Sequence, residues 1–440
     1  MYFRHPLVLL VLLAALQPSC SAVSMRHDDI LNRSRELNQK LTVLDTHLDT
    51  PSRVLNLPDW ALHEKSEETL VDLPRMRAAG VNAPFMVVYT SPSLKGQDAL
   101  AHALALSDVI SGWVEEYPRE LSLARAASDV PAAKRAGKIA VVMCMENSSP
   151  ILEGRLDLVR TFYRLGVRYM SRCHFKNNHL CDSSTDDPLH GGVSKFGEEV
   201  IAEANRLGIM LDVSHISDDA VRDHLRLSKA PIIASHSNVR KLCDHPRNLT
   251  DELIRGIARG GGVIQLNFAA QYVSADYLVK YNERKALLEL KEKEIDERFA
   301  GQEEKAKAEK EKLSARTPRP PPPPLEDWFE HVDYIADLVG KEFIGLGSDF
   351  DGIGAWPGEL EDITSIDLIT AGLLKRGWSE KELAGFYSGN LLRVWRKVEE
   401  VAGRCRPARL LSYSSPFSAS QRSASSAAAQ PVPAAVIACR

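Results

Sequence analysis

Eight short apolar segments, separated by longer stretches with helical periodicity, constrain the fold of this chain more than any other feature of its sequence. Apolar residues recur three and four positions apart in residues 195–208 and 217–230, which is the spacing of an amphipathic helix. Apolar strands that alternate with such helices are typical of a parallel sheet covered by helices. The predicted strands span residues 41–47, 83–89, 139–146, 167–174, 209–215, 231–236, 262–268 and 343–349.

The spacing of these strands favours one closed (β/α)8 TIM barrel, of fold class α/β. The interval before the last strand is the longest, and residues 280–324 account for its excess with a charge-dense helical stretch that ends in a polyproline run. We predict that the barrel domain occupies residues 23–402 and carries this segment as an insertion. A doubly wound open sheet is the alternative, but no GxGxxG motif follows the first strand.

The two ends of the chain are predicted to lie outside the barrel. Residues 1–22 combine a basic start, an apolar run and a small-residue cleavage site, which is the pattern of a cleaved signal peptide. The apolar run is shorter than the roughly 20 residues that span a bilayer, so we expect a protein of the secretory lumen or the exterior, without a membrane span. Residues 403–440 are rich in Ser and Ala and predict a disordered tail. They lack the hydrophobic terminus of a GPI-anchor signal.

Two further sequence features fit secretion. Glycosylation sequons occur at Asn32, Asn147 and Asn248. Six cysteines remain after the signal peptide, and in an oxidising compartment we expect one or two disulfides, whose pairing the sequence does not define. These cysteines are Cys144, Cys173, Cys181, Cys243, Cys405 and Cys439.

The charge of the chain excludes one class of partner. The 55 Lys and Arg residues nearly balance 59 Asp and Glu residues, for a formal net charge of -4. A nucleic-acid-binding protein would carry a basic surface, so we expect neither DNA nor RNA as a ligand.

Ionisable side chains follow six of the eight predicted strands. In a (β/α)8 barrel the carboxyl ends of the strands meet on one face, where the active site is built. Imidazoles and carboxylates crowded there without a metal would leave polar groups unpaired. Ligands of these two kinds suit Zn²⁺, with Mn²⁺ or Co²⁺ as substitutes, and their number favours two metals that share a carboxylate. The residues are His47, Asp49, Glu146, His174, His215, His236, Asp349 and Asp351. Three other histidines, His63, His224 and His331, are predicted to lie on the surface.

These residues lie in motifs with a definite order along the chain. TVLDTHLDT contains His47 and Asp49, and DVSH contains His215. His236 lies in SHSN, which HPRN follows, and GSDFDG contains Asp349 and Asp351. The motifs, in this order and at these distances, resemble those of the membrane (renal) dipeptidase family of binuclear zinc metallopeptidases. The resemblance extends from about residue 41 to residue 400 and is interrupted by the insertion.

The resemblance implies the metal ligands. His47 and Asp49 would hold one zinc ion, His215 and His236 would hold the other, and Glu146 would bridge the two. The cofactor implied is therefore a pair of Zn²⁺ ions in each chain, and Glu146 counts among the catalytic residues.

The resemblance also implies the residues that act on the substrate. His174 would contact the substrate and the tetrahedral intermediate, and Arg247 would pair with the free carboxylate of the substrate. Asp349 would be the acid and base that moves a proton from water to the leaving amine. Tyr272 would line the pocket.

The function predicted is hydrolysis of unblocked dipeptides by a zinc-dependent dipeptidase, through a hydroxide that bridges the two metals. One alternative is a metal-dependent hydrolase of another small amide, lactone or ester on the same barrel. Arg247 discriminates between these two, since a neutral substrate has no use for a carboxylate clamp. A second alternative is a binding protein that kept the fold and lost the reaction. A homodimer, common in the family, is left open.

Overall fold

Eight parallel strands follow one another around a barrel in chain order, and a ninth short strand pairs with β4 alone. The computed structural model describes residues 27–404. The predicted signal peptide and nearly all of the predicted tail lie outside the described residues. The strands are β1 (Val43–Leu48), β2 (Val81–Tyr89), β3 (Leu121–Leu123), β4 (Ile139–Glu146), β5 (Val167–Ser171), β6 (Met210–Asp212), β7 (Ile233–Ala234), β8 (Val263–Leu266) and β9 (Ile344–Leu346).

The first and last strands meet and bring the barrel to near closure. The backbone N–H of Asp49 donates to the carbonyl of Phe350 over 3.0 Å, and the N–H of Asp349 donates to the carbonyl of His47 over 3.0 Å. All eight predicted strands are present and run parallel, so the predicted (β/α)8 TIM barrel is confirmed. The short strand β3 was not predicted.

Helices connect the strands and cover the outside of the barrel. Their ends carry the expected caps: the Ser194 side chain accepts from the N–H of Gly197 at the start of one helix, and Gly208 ends it at a φ of 88°. The helices are α1 (His27–Lys40), α2 (Thr50–Val54), α3 (Leu73–Ala79), α4 (Gly96–Glu116), α5 (Asp129–Arg135), α6 (Ser149–Leu152), α7 (Leu156–Leu165), α8 (Lys195–Leu207), α9 (Asp218–Leu227), α10 (Asp251–Arg259), α11 (Ala270–Val273), α12 (Ala275–Arg298), α13 (Glu303–Arg316), α14 (Leu325–Val339), α15 (Ile366–Lys375), α16 (Glu380–Ala384) and α17 (Asn390–Arg404). Short 3₁₀ turns lie at Lys341–Phe343 and Ile363–Ser365, and a π-helical turn lies at Gly385–Gly389. Within residues 27–404, every helix is too short or too polar to traverse a lipid bilayer.

Two buried clusters form the core, one on each face of the sheet. Alternate residues of β4, such as Val142 and Cys144, join residues of six other barrel strands and Trp395 of α17 in the smaller cluster. Only the barrel interior can collect side chains from so many strands, so this face points inward. Glu146 has the same alternation and also points inward, at the carboxyl end. The larger cluster packs the outer face of the sheet against the helices.

The predicted insertion consists of two helices and an extended return segment. We call residues 275–324, which comprise α12, α13 and the proline run, the inserted hairpin. Asp296 of α12 and Lys310 of α13 form an ion pair of 2.7 Å between the two helices. Helix α12 begins before residue 280, so the helical segment is longer than the charge density alone predicts.

Two of the three histidines predicted to lie on the surface are buried. Nδ1 of His224 donates to the carbonyl of Ala220, and its Nε2 accepts from Nε of Arg172. His331 bonds backbone groups of two different segments. Both side chains are 0% exposed, so the surface prediction was wrong for them. The apolar face of a helix accepts an imidazole when backbone groups satisfy its nitrogens. Only His63 of the three is exposed.

The described residues include four of the six cysteines and all three sequons. Cys144, Cys173, Cys181 and Cys243 are buried free thiols, and the other two cysteines lie outside the described residues. Asn147 and Asn248 are each 1% exposed. Their side-chain amides donate to backbone carbonyls. Asn32 is the one sequon on the surface of residues 27–404.

Candidate metal centre and active site

The carboxyl ends of the strands bring five of the predicted ligands together. We call His47, Asp49, Glu146, His215 and His236 the ligand cluster. Each is buried, and none is more than 6% exposed. They come from β1 and the residue that follows it, from the last residue of β4 and from the segments that follow β6 and β7, so the barrel topology alone makes them neighbours.

The two oxygens of Glu146 face different histidines. Oε2 lies 3.6 Å from Nε2 of His47, which is itself 3.4 Å from Oδ2 of Asp49. Oε1 lies 3.0 Å from Nε2 of His215 and 3.4 Å from Nε2 of His236. One carboxylate therefore stands between two groups of potential ligands.

Several atoms of the cluster have no hydrogen-bond partner in the structure. They include Nε2 of His47 and Oε1 of Glu146, both buried. Nε2 of His215 lies only 2.9 Å from Nε2 of His236. Buried polar atoms without partners are costly, and a cation that accepts electron pairs from imidazole and carboxylate would satisfy them. The donor set thus fits divalent metal ions of the zinc type.

Three sets of ligand atoms are close enough to bind a metal. Within each set the atoms lie within 4.8 Å of one another: His47, Glu146 and His236; Glu146, His174 and His215; and His47, Asp49 and Asp349. His174 and Asp349 thus lie beside the ligand cluster. Asp351 belongs to none of these sets, and its carboxylate instead accepts from the Thr50 hydroxyl and the Leu70 N–H, each at 2.7 Å.

A second layer of hydrogen bonds holds two of the imidazoles. Nδ1 of His47 lies 2.7 Å from the Tyr169 hydroxyl, which donates to the carbonyl of Thr46. Nδ1 of His236 lies 2.7 Å from the Ser235 hydroxyl, which donates to the Asp212 carboxylate. Because each hydroxyl donates its hydrogen bond to another acceptor, it can only accept from the imidazole. Each Nδ1 is therefore the donor, and each Nε2 presents its lone pair to the cluster.

These supporting residues were not predicted from the sequence. Tyr169 occupies an inward position of β5, and Ser235 directly precedes a predicted ligand. A polar residue at an inward strand position near the carboxyl end was the available signal for both.

The backbone is strained where the strands end. Asn147, His215, Asp349 and Asp351 have φ values of 55°, 75°, 67° and 69°. Residues other than glycine rarely adopt this left-handed region, and such conformations concentrate at functional sites. Gly352 is required for a different reason, because a Cβ there would stand 2.3 Å from Oδ2 of Asp49.

Asp349 is suited to hold a proton. The Asn267 side-chain amide donates to Oδ2 of Asp349 over 2.8 Å. Burial raises the pKa of the Asp349 carboxyl well above its usual value, and the negative charges of Asp49 and Glu146 raise it further, against the lowering effect of His47. The sequence predicted this residue, although not its amide partner.

The other predicted substrate residues surround the opening of the site. The His174 ring lies 4.3 Å from the His215 ring, and its Nδ1 lies 3.4 Å from the Tyr89 hydroxyl. Burial lowers the pKa of His174. Tyr272 lines the cavity.

Arg247 is not among the described residues that line the cavity. Its guanidinium carbon lies 5.4 Å from the centroid of the Tyr272 ring. One guanidinium nitrogen donates to the carbonyl of His236 over 3.2 Å. Nε has no partner and is buried. The guanidinium therefore lies next to the pocket wall with its Nε donor unpaired.

A cavity of about 760 Å³ opens above the ligand cluster. Its floor includes Asp49, Glu146, His215 and Asp349. One wall comes from α12 of the inserted hairpin. The volume suits a small molecule rather than a folded partner.

A buried set of imidazoles and carboxylates at the carboxyl ends of barrel strands, below a cavity of this size, is the arrangement of a metal-dependent hydrolase. The family comparison gives the narrower assignment. The chain belongs to the membrane dipeptidase family, peptidase family M19, whose family model matches residues 31–408. The protein is thus a hydrolase that acts on peptide bonds.

Known proteins and structures agree with this membership. The chain is 30% identical over 388 residues to dipeptidase 3 of Homo sapiens, across 86% of this chain and 69% of that protein. It is 29% identical over 391 residues to dipeptidase verJ of Clonostachys rogersoniana, across 85% and 89%. The crystal structure of the probable dipeptidase PvdM from Pseudomonas aeruginosa superposes with a TM-score of 0.75 at 26% identity, across 86% of this chain and 100% of that one.

Proposed function

We propose that the protein is a zinc-dependent dipeptidase that hydrolyses unblocked dipeptides in the secretory lumen or outside the cell. The position of Glu146 carries the proposal, since its two oxygens face separate groups of buried ligand atoms. The secretory location rests on the sequence of residues 1–22.

The ligand cluster would hold two zinc ions. His47 and Asp49 would bind one ion, His215 and His236 the other, and Glu146 both. When bound, the ions would supply an activated, bridging hydroxide at neutral pH and polarise the carbonyl of the scissile bond.

Asp349 is the residue we assign to proton transfer. Its carboxylate would accept the proton of the attacking water and give it to the amine that leaves. A raised pKa suits this task, because an acid and base works best when its pKa approaches the working pH. Cations bound beside Asp349 would offset part of the rise. The amide of Asn267 fixes the direction of the carboxylate.

The remaining residues would orient the substrate. The Arg247 guanidinium, which has a free Nε donor, would pair with the carboxylate of the dipeptide after a small rearrangement of the Tyr272 side chain. His174 lies beside His215 and Glu146, where it would contact the substrate carbonyl and stabilise the tetrahedral intermediate.

Blocked and unblocked peptides test the proposal. The zinc-loaded chain should hydrolyse Ala-Ala, but neither its N-acetylated nor its C-amidated form. A chelator should abolish the activity, and added zinc should restore it. A chain that carries zinc but leaves Ala-Ala intact would contradict the proposal and would favour another small amide, lactone or ester as substrate.

A further inference from the structure

The first turns of α12 form part of the wall of the active-site cavity. Tyr281, Asn282 and Lys285 line the cavity together with His245 and Tyr272. The barrel itself does not need α12, because this helix lies in the inserted hairpin between β8 and α14. A segment outside the barrel architecture therefore contacts whatever the cavity binds.

This wall is held in place at several points. Tyr277 and Leu278 of α12 are buried, and the Tyr277 ring stacks on Tyr281 with 6.3 Å between centroids. Nε of Arg284 donates to the carbonyl of Thr317 over 2.8 Å, which joins α12 to the return segment. The wall is thus positioned before any ligand binds, which reduces the entropy lost on binding.

The return segment is attached to the cavity as well. The Arg319 guanidinium donates to the carbonyl of Gly354, and Gly354 also lines the cavity. The base of the inserted hairpin is therefore fixed to the loop that follows β9.

The α12 wall gives one end of the cavity a positive charge. His245 lies at this end, with its ring 4.6 Å from the Tyr272 ring. Burial, together with the nearby charges of Arg247, Arg240 and Lys285, lowers the pKa of His245 to about 4. The field of the Lys285 ammonium thus reaches the same end of the cavity as that of Arg247.

Lys285 is available to a ligand. Its closest carboxylate is that of Glu289, 3.8 Å away, and its side chain is 61% exposed. A weak, exposed ion pair of this kind costs little to exchange for another. The acidic side chains of the cavity, by contrast, lie on its floor in and beside the ligand cluster.

We infer that α12 is a specificity wall and that Lys285 favours dipeptides whose C-terminal residue is aspartate or glutamate. This inference rests on the proposed function, in which Arg247 pairs with the main-chain carboxylate of that residue. The side chain of the same residue then lies at the end of the cavity that Lys285, Tyr281 and Asn282 enclose. There a second carboxylate would contact the Lys285 ammonium, and an ammonium would be repelled.

The test compares Ala-Glu, Ala-Gln and Ala-Lys as substrates of the zinc-loaded full chain. At low salt we expect kcat/KM for Ala-Glu to exceed that for Ala-Gln by about three- to fivefold, the range of a partly exposed ion pair. Ala-Lys should be the poorest of the three. The preference should shrink in about 0.5 M salt, where charges are screened over a few ångströms.

Substitutions on one helix identify the residue responsible. Lys285→Met should bring the Ala-Glu to Ala-Gln ratio close to one, and Lys285→Glu should invert it. Lys291→Met is the matched control, because Lys291 lies on α12 outside the cavity and pairs with Glu294. It should keep the wild-type ratio.

The outcomes separate this inference from the function on which it rests. Hydrolysis of Ala-Glu and Ala-Gln at equal rates, or an unchanged ratio in both Lys285 variants, would overturn the inference alone. Failure to hydrolyse any of the three peptides would overturn the proposed function and the inference with it.

Discussion

The ligand cluster and the inserted hairpin border the same cavity but are built differently. The cluster is buried at the ends of barrel strands, and further hydrogen bonds fix two of its imidazoles. The hairpin is largely exposed beyond its first turns, and α13 buries only Ala306. The barrel therefore positions the candidate metal ligands, whereas the hairpin contributes to the cavity only the α12 wall that we propose as a determinant of specificity.

The largest effect should come from a substitution beside the cluster. Asp349→Asn removes the proton acceptor but keeps the size of the side chain. We expect kcat/KM to fall by about 10²–10⁴, the usual contribution of a general acid and base. Steady-state kinetics on Ala-Ala would measure the loss. Metal analysis should show an unchanged zinc content, and full activity in this variant would refute the assigned role.

The pH dependence of the unfolding free energy tests a contact between α14 and the segment that leads into α12. His331 of α14 accepts the N–H of Val239 at Nδ1 and donates from Nε2 to the carbonyl of Val273, just before α12. Burial lowers its pKa from 6.5 to about 4. The unfolded chain therefore binds a proton that the folded chain excludes, so stability present above pH 6.5 is lost as the pH falls toward 4. The loss should be about 3 kcal/mol.

Urea denaturation of the metal-free protein would measure this loss. His331→Gln should remove that part of the pH dependence of the unfolding free energy. His63→Gln, on the surface, should keep the wild-type slope. Equal slopes for the wild type and the His331 variant would contradict the assignment.

The supporting hydroxyl of Ser235 should matter less than Asp349. Ser235→Ala removes the link between His236 and Asp212. We expect zinc affinity to fall by about 10- to 100-fold, as is typical when a hydrogen-bond partner of a ligand is lost. Competition with a chromophoric chelator would measure the change. Ser107→Ala on α4, buried but distant from the cluster, should leave the affinity unchanged.

The smallest effect is expected from the distal part of the inserted hairpin. Replacing residues 288–313 by a short Gly-Ser linker removes mostly exposed side chains. The unfolding free energy should change by less than about 1 kcal/mol, because little apolar surface is buried there, and hydrolysis of Ala-Ala should persist. Tyr277→Ala, which empties a buried site at the base, should cost about 3 kcal/mol. Equal losses of unfolding free energy in the two variants would contradict this difference between the distal part of the hairpin and its base.

Much of the barrel was predictable because strand and helix periodicities are local. The same periodicities located the ends of the strands. Because the barrel topology brings those ends together, the sequence also predicted that His47, Glu146 and His236 would be neighbours. The docking of Lys285 at the cavity was not predictable. It depends on contacts such as Arg284 with Thr317, which join residues far apart in the chain.

Burial of single polar residues was also beyond the sequence. His224 and His331 have the helical surroundings of surface residues, yet backbone groups from other segments satisfy their nitrogens. Tyr169 and Ser235 support the ligands through hydrogen bonds that only the folded barrel creates. An inward polar position was the local signal for Tyr169 and Ser235, but it does not identify the ligands that they support.

Titration of the metal-free protein with zinc tests the central claim most directly. Activity on Ala-Ala and bound zinc would be measured on the same samples. If Glu146 stands between two metal sites, activity should rise until two equivalents per chain are bound, and Glu146→Gln should bind the second equivalent much more weakly. Full activity at one equivalent, or unaltered binding of two equivalents by the Glu146 variant, would contradict the account.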